Sequence, residues 1–358
     1  MEFAQTEAPL AALPEEFDAD PWAFNVLNGT LDLHTGELRP HDRDDKITQL
    51  APIQHDPEAR LQLWENFLES AAPDTELRAF LRRAVGYSLT GCTDEERLLF
   101  VHGQQATGKS TFLEAVKATF GDYGKRANFE SLLAQRNGGG PRNDIARLHG
   151  SRLVVSLEMD DGRRLAEGLV KQLTGGDTVA ARFLYQEAFE FKPQFKLWLA
   201  ANSKPRIRDD DGATWRRILR VPFEEEIPEG ERDPKVKATL SNPATAGPAI
   251  LAWALRGCME WQERRLDPPE AVRLATADYR AEMHPLRGWL EDCCEIDGDA
   301  WTSSADAWAS YHRYAPRGLS QQKFTSRLKE ERFIPERRDR NTRRGWRGLR
   351  VVDTSGHL

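Results

Sequence analysis

A chain of 358 residues, 39% hydrophobic and 30% charged, has room for two or three domains with proper cores. No stretch approaches the ~20 consecutive apolar residues that span a bilayer, and the acidic, Ala/Pro-rich N-terminus is unlike a secretory leader. The net charge of −7 excludes a protein coated all over in nucleic acid, while leaving room for a local basic arm.

Residues 1–20 read as a loosely ordered tail. From Asn25 to Leu33 the chain alternates around Asn28-Gly29, a hairpin signal, and His34-Thr35-Gly36 supplies a second turn. Between Pro57 and Leu89 the apolar residues Leu61, Trp64, Phe67 and Leu68, then Leu77, Phe80, Leu81 and Val85, recur at three and four. That spacing predicts two helices, broken at Pro73-Asp74, and residues 21–90 are expected to form a small, mostly helical domain. Leu98–His102 is a short apolar run ending in a glycine loop, and Lys109 to Phe120 continues as a helix. Further apolar runs cover Arg152–Leu157 before Glu158, Phe195–Ala201 before Asn202, and Ile218–Phe223 after Trp215-Arg216-Arg217. Short apolar strands alternating with helices predict an α/β core over 91–228, its sheet mostly parallel and covered on both faces.

Residues 229–284 are expected to form a helical lid, with one helical run from 243 to 283. The final segment, 285–358, has helical runs near 286–294, 303–314 and 320–332, then extended pieces at Phe333–Pro335 and Gly348–Val352. Helices followed by a ribbon with an Arg-rich tip resemble a winged helix-turn-helix. Arg313 to Val352 holds 13 Lys or Arg against 4 Asp or Glu, about +9, leaving about −16 for the rest. Cys92, Cys258, Cys293 and Cys294 have neither CxxC spacing nor a His at zinc-finger distance, and read as reduced, mostly buried thiols of a cytosolic protein.

The stretch Gly103-Gln104-Gln105-Ala106-Thr107-Gly108-Lys109-Ser110-Thr111 fits GxxxxGK[ST] between a strand and a helix, the context a phosphate-binding loop requires. Its glycines let successive N–H groups point at phosphate oxygens, and the helix N-terminus adds its positive end. Lys109 would reach the outer phosphates and Ser110 would complete a magnesium shell, so ATP and Mg2+ are expected. Hydrolysis also needs an acid and a group that senses the terminal phosphate. Glu158 ends one strand, with Asp160 and Asp161 after it, on the sheet edge where the loop opens. A solvated acidic turn is the alternative. Asn202 ends another strand on that edge, where its amide could orient water; a turn-forming Asn before Ser203-Lys204-Pro205 is the plainer reading. Arg216 and Arg217 follow the acidic loop Asp209-Asp210-Asp211 and could either pair with it or reach a neighbour's phosphate.

The succession of 103–111, Leu153–Glu158, Lys171-Gln172-Leu173-Thr174-Gly175-Gly176-Asp177, Leu197–Asn202 and Trp215-Arg216-Arg217 resembles the superfamily 3 helicase core, in particular the helicase part of phage and plasmid primase-helicases. The resemblance spans most of residues 20–352. It implies an AAA+ type P-loop NTPase core carrying Walker A, Walker B, B-prime, sensor and arginine-finger motifs. Lys109 and Ser110 would bind ATP and magnesium, with Glu158 as the Walker B acid and Asn202 as the sensor. Met159 separates Glu158 from Asp160, the second acid available to the metal. One of Arg216 or Arg217 would be a finger acting across a subunit boundary, which implies a ring, usually a hexamer.

The segment between Asp177 and Lys196 would hold a hairpin gripping one DNA strand through Arg182 and Lys192, with Lys171 facing DNA or nucleotide. Phe183 and Tyr185 read as core more readily than as DNA contacts. Arg337, Arg338, Arg340, Arg343, Arg344 and Arg347 around Trp346 would place a wing on duplex backbone. A solvated charged end is the alternative. Long members of the family carry a primase ahead of the helicase, for which this chain has no room. It is therefore expected to be a stand-alone helicase working with a separate primase or a fragment, in the cytoplasm of a bacterial or phage-infected cell. The expected activity is ATP-driven DNA unwinding during replication of a phage, plasmid or integrated element. The competing readings are an ATP-controlled initiator that binds duplex without unwinding it, and a small-molecule kinase, which would leave the basic tail unused.

Overall fold

The computed structural model describes residues 13, 16–133, 142–157, 164–207, 212–283, 285–316, 318–338 and 343–352. The chain divides into two compact units, residues 1–276 and 277–358.

In the first unit β1 (Ala23–Val26), β2 (Gly29–Asp32) and β3 (Glu37–Arg39) form an antiparallel meander in sequence order. The first turn is made at Leu27-Asn28, and Gly29 opens β2 at φ 153°, where a Cβ would lie 2.3 Å from the Arg39 carbonyl. Two helices follow, α1 (Gln62–Ala71) and α2 (Thr75–Leu89). Asp74 caps α2 by accepting from Glu76 N, which is why the Pro73-Asp74 break restarts a helix.

The central sheet contains β4 (Leu98–His102), β5 (Gly124–Arg126), β6 (Leu153–Leu157), β9 (Lys196–Ala201) and β10 (Ile218–Pro222). Its order is β10-β4-β9-β6-β5, and every pairing is parallel. Parallel neighbours need crossover connections, and α3 (Lys109–Phe120), α4 (Asn143–Ala146), α5 (Glu167–Thr174) and α6 (Ala213–Arg217) lie in those connections. Between α5 and β9 stands a separate antiparallel pair, β7 (Val179–Arg182) and β8 (Ala188–Phe191). The parallel sheet and its apolar strands bear out the α/β expectation.

After the sheet come α7 (Pro234–Leu240), α8 (Pro243–Arg264) and α9 (Glu270–Met283). The single helical run expected from 243 to 283 is interrupted at 265–269. There Arg265 and Asp267 take positive φ values of 61° and 40°, and Pro268-Pro269 cannot continue the i→i−4 ladder. One hydrophobic core joins Phe24 of the meander, Trp64, Phe80 and Val85 of α1 and α2, Val101, Phe112 and Trp198 of β4, α3 and β9, and Ile250 and Trp261 of α8. Helices α2 and α8 approach backbone to backbone: a Cβ on Gly86 would lie 2.1 Å from Cys258 N, and one on Gly257 1.9 Å from Arg82 O.

Two buried cations tie this core together. Arg152 donates to the carbonyls of Leu89, Asp20 and Ala23, and Lys196 to those of Thr90 and Cys92. Both sit at the end of α2, where free helix carbonyls favour positive charge.

The second unit consists of α10 (Pro285–Cys293), β11 (Cys294–Ser303), α11 (Ser304–Tyr314), α12 (Gln321–Glu330), β12 (Ile334–Arg338) and β13 (Arg343–Val351). Its three strands form an antiparallel sheet of order β11-β13-β12. Trp289, Tyr311, Phe324, Leu328 and Leu349 make its core, with Phe324 stacked on Tyr311 at 4.7 Å. Ser303 and Ser320 cap α11 and α12. Strand β11 was not expected from the sequence, because Glu295, Asp297, Gly298 and Asp299 break its apolar alternation. The four cysteines are free thiols.

Candidate nucleotide site

The phosphate-loop segment leaves the centre of the sheet. Strand β4 is flanked by β9 and β10 and is buried through Val101, as its all-apolar sequence requires. Only glycine fits at 103, since a Cβ there would lie 1.7 Å from the Phe223 carbonyl. The Phe223 amide meanwhile donates to His102 O at 2.9 Å and carries the β10 ladder to the loop. Ala106 (φ 58°) and Gly108 (φ 87°) then take left-handed conformations, which turns backbone N–H groups inward as an anion-binding concavity does. Ile227 N donates to Ala106 O at 3.0 Å and fixes the outside of the loop. Gly108 caps α3 without a side chain, so no side chain occupies the first-turn amides of Lys109, Ser110 and Thr111.

Lys109 is only 6% exposed. Its Nζ donates to Gly103 O at 2.8 Å, to Thr107 Oγ1 at 3.2 Å and to Gln104 O, while Thr107 Oγ1 donates to Gln104 O at 3.1 Å. Burial pulls its pKa below the ordinary lysine value. Ser110, on the same helical turn, is exposed, as are Gln104 and Gln105. The Ser110 hydroxyl is a hard oxygen donor beside the cradle and fits a magnesium ion held jointly with phosphate oxygens. Among the described residues no group of three or more His, Cys, Asp or Glu is placed to hold a metal. The proposed acids Glu158, Asp160 and Asp161 lie outside the described residues; β6, which leads to Glu158, pairs Leu157 with Ala200.

Asn202 is brought to the loop. Ala201 is the register partner of His102, so Asn202 and Gly103 leave neighbouring strands side by side, about 4.8 Å apart. Arg216 and Arg217 are not brought there. They precede Ile218, which pairs with Leu98 at the start of β4, whereas the loop follows His102, which pairs with Pro222. The length of β10, about 13–17 Å, separates them from the loop of their own chain. Arg217 is engaged locally: it pairs with Glu96 at 2.8 Å and donates to Ala213 O at 3.1 Å. Arg216 is exposed, and its side chain makes no hydrogen bond or ion pair among the described residues.

A polar group that sequence reasoning missed adjoins the loop. Arg220 Nε lies 3.3 Å from His102 Nδ1, and Arg220 also reaches Glu224 Oε1 at 2.8 Å. Burial, helped by Arg220, Lys204 and Lys109, pushes the His102 imidazole down to about 4. The available signal was an arginine inside the apolar run Ile218–Val221.

The expected DNA-gripping segment is the β7–β8 hairpin. Arg182 and Lys192 are exposed, one near the tip and one at the base, and Lys171 is half-buried on α5. Phe183 stacks on Phe189 at 5.4 Å, and Phe189 on Phe191 at 5.9 Å. Phe183 is half-buried against the ribbon's own aromatic face, and the core reading fails for Tyr185. Tyr185 is fully exposed at the turn with φ 63°, because Phe183 and Phe189 already fill the apolar face of the ribbon. In the second unit the β12–β13 register sets Arg337 opposite Arg344 and Arg338 opposite Arg343. Arg338 also lies over the Trp301 ring at 5.3 Å. Arg340 lies outside the described residues.

Residues 1–73 match the family model described as D5 N terminal like, and residues 101–217 match a family of unknown function, DUF5906. A candidate helicase, L207/L206, of Acanthamoeba polyphaga mimivirus is 32% identical over 58% of this chain and 22% of its own length. A candidate helicase, 022R, of Frog virus 3 is 29% identical over 84% of this chain and 31% of its own. Primase D5 of Fowlpox virus is 26% identical over 50% of this chain and 22% of its own. The chain thus spans between about a fifth and a third of the length of these relatives. The apo structure of the NrS-1 C terminal region superposes with a TM-score of 0.53 at 12% identity, covering 84% of this chain and 78% of that one, and so shares its fold. No helix among the described residues is long and apolar enough to cross a membrane. The D5-type N-terminal match and the helicase- and primase-named relatives support a member of the primase-helicase family with its helicase part.

Proposed function

We propose that the chain is the ATPase motor of a superfamily 3 DNA helicase, a cytoplasmic, ring-forming translocase that unwinds duplex during replication of a virus, phage, plasmid or integrated element. The observation that carries this reading is the loop of 103–111. Its backbone, shaped by Gly103, Ala106 and Gly108, surrounds a buried lysine at an uncapped helix N-terminus. A triphosphate would accept from the first-turn amides of α3 and from Lys109, whose present acceptors are loop oxygens. Ser110 would hold magnesium together with the phosphates and an acid at Glu158 or Asp160, and the ion would neutralise charge on the transferring phosphoryl group. Asn202, next to the loop, would orient the attacking water.

Arg216 is the finger in this reading. It stands at the opposite sheet edge from its own loop, so only a neighbouring copy's phosphate is within its reach, whereas Arg217 is held by Glu96. A ring, six-membered by the family resemblance, follows from a site shared between copies. The β7–β8 hairpin would present Tyr185 and Arg182 to a single strand, by stacking and by phosphate neutralisation. We read the second unit as a winged helix: helix, strand, two helices and a two-stranded ribbon, with Arg338, Arg343 and Arg344 toward duplex phosphates. Two arginine pairs set directly opposite each other are unfavourable, and a polyanion relieves the repulsion.

The test is ATP hydrolysis with and without single-stranded DNA, together with strand displacement on a forked duplex. Turnover should rise with single strands and fall about 100-fold or more in Lys109→Ala, the scale on which one preorganised electrostatic group acts. Turnover that ignores DNA and survives Lys109→Ala would end the proposal. Protection of one duplex sequence without strand displacement would favour the initiator reading.

A further inference from the structure

Arg216 and Arg217 end the short helix α6, just after the buried Trp215. Arg217 turns inward: its side chain is 18% exposed, Nη1 donates to Ala213 O at 3.1 Å, and Nη2 pairs with Glu96 Oε2 at 2.8 Å. Glu96 takes a left-handed φ of 50° two residues before β4, so this pair ties α6 to the entry of the strand that leads to the phosphate loop. The same guanidinium borders the turn between α5 and β7. A Cβ on Gly175 would lie 3.4 Å from Arg217 Nη2 and 3.5 Å from Asp177 Oδ2, so both charges adjoin one small gap. A Cβ on Gly176 would lie 3.4 Å from Thr93 Oγ1 and 3.7 Å from Lys192 Cε, which seats this turn against the loop before β4 and the end of β8. Arg217 Nε is buried without an acceptor among the described residues, and the exposed Asp177 makes no ion pair among them. A buried N–H left unpaired is costly, and a carboxylate is the strongest acceptor it could take.

We propose that Arg217 and Asp177 are positioning residues that couple the β7–β8 hairpin to Arg216: a single strand loaded on the hairpin draws Asp177 onto Arg217 Nε, and the guanidinium, anchored at Glu96, fixes α6 and the arginine beside it. This rests on the proposed reading of the hairpin as the strand grip and of Arg216 as the finger. Neither Arg217 nor Asp177 touches nucleotide or DNA. The open N–H is satisfied only in the loaded arrangement, so strand binding and a fixed α6 favour each other through one discrete contact.

The experiment is steady-state ATP turnover of the full chain without DNA and at saturating single-stranded DNA, with thermal unfolding, for wild type, Asp177→Ala, Arg217→Lys and the double variant. Ala removes the acceptor, whereas Lys keeps the charge that pairs with Glu96 and lacks the Nε–H of the guanidinium fork. Expected in each single variant is a fall of about fivefold or more in the ratio of turnover with DNA to turnover without it. The double variant should fall no further than the worse single one, because the two changes remove the same contact. Should Arg217→Lys fail to fold, Asp177→Ala, at an exposed position, decides alone. An unchanged ratio in Asp177→Ala, or losses that add in the double variant, overturns the coupling while leaving the helicase reading intact. Wild-type turnover that ignores DNA overturns both.

Discussion

Three histidines, His102, His55 and His149, tie the stability of the protein to pH. Burial holds the pKa of His102 at about 4 and those of His55 and His149 below the usual histidine value. In the unfolded chain each ring titrates near 6.5. Between about pH 6.5 and the folded values the unfolded state therefore binds more protons than the folded one. The stability contributed by these neutral rings is complete above about pH 6.5 and is lost as the pH falls toward 4. For His102, screened by the solvent that its half-buried ring still meets, the loss is about 1–2 kcal/mol. The urea midpoint should fall between pH 7 and pH 5, and fall less in His102→Gln. Equal slopes in the two proteins would contradict this account. At the same scale residues 103–111, Asn202 and the Arg216-Arg217 pair could be picked out as candidates because each residue type matches a chemical need at a strand or helix end. His102 and Arg220 were not, since a histidine at the end of an apolar run has no distinctive local pattern and its meaning comes from a strand 118 residues away.

Secondary-structure elements show where local pattern suffices and where pairing intervenes. Helices α1, α2 and α3 and strands β4, β6, β9 and β10 follow from apolar spacing, because each buries a face or a whole strand that its own residues specify. The split between α8 and α9 was available in Pro268-Pro269 and was overridden by the long apolar run around it. Strand β11 depends on its register with β13, and no periodicity within residues 294–303 announces it. The β12–β13 ribbon gives the prediction at this scale. Replacing Arg337 and Arg344 with Ala removes one like-charge cross-strand pair, which should raise stability by about 0.2–1 kcal/mol. If the ribbon meets phosphates, the same change should weaken duplex binding and lower the slope of log K against log salt by about 2. Thermal unfolding and a salt titration of duplex binding on the same variant read both effects; unchanged DNA affinity would remove the ribbon from the interface.

At the scale of the whole molecule, parallel pairing puts the loop and Asn202 at one end of the strands and Arg216 at the other. On the proposed reading a complete nucleotide site would take two copies. Lys109→Ala and Arg216→Ala should each lose most ATP turnover, and mixing the two inactive proteins should restore part of it, because a mixed interface can join an intact loop to an intact arginine. Turnover of the mixture no greater than that of its parts would argue for a site complete within one chain.

By itself the sequence determined the glycine-loop motif at 103–111, the α/β class and the chain order of the apolar strands β4, β6, β9 and β10, since these depend on residue types at fixed local spacing. Only the tertiary structure decided which ends of those strands meet, that Tyr185 stands in solvent while Phe183 stacks, and that His102 lies against Arg220. Those facts arise from register and crossover between segments far apart in the chain, which no local pattern encodes.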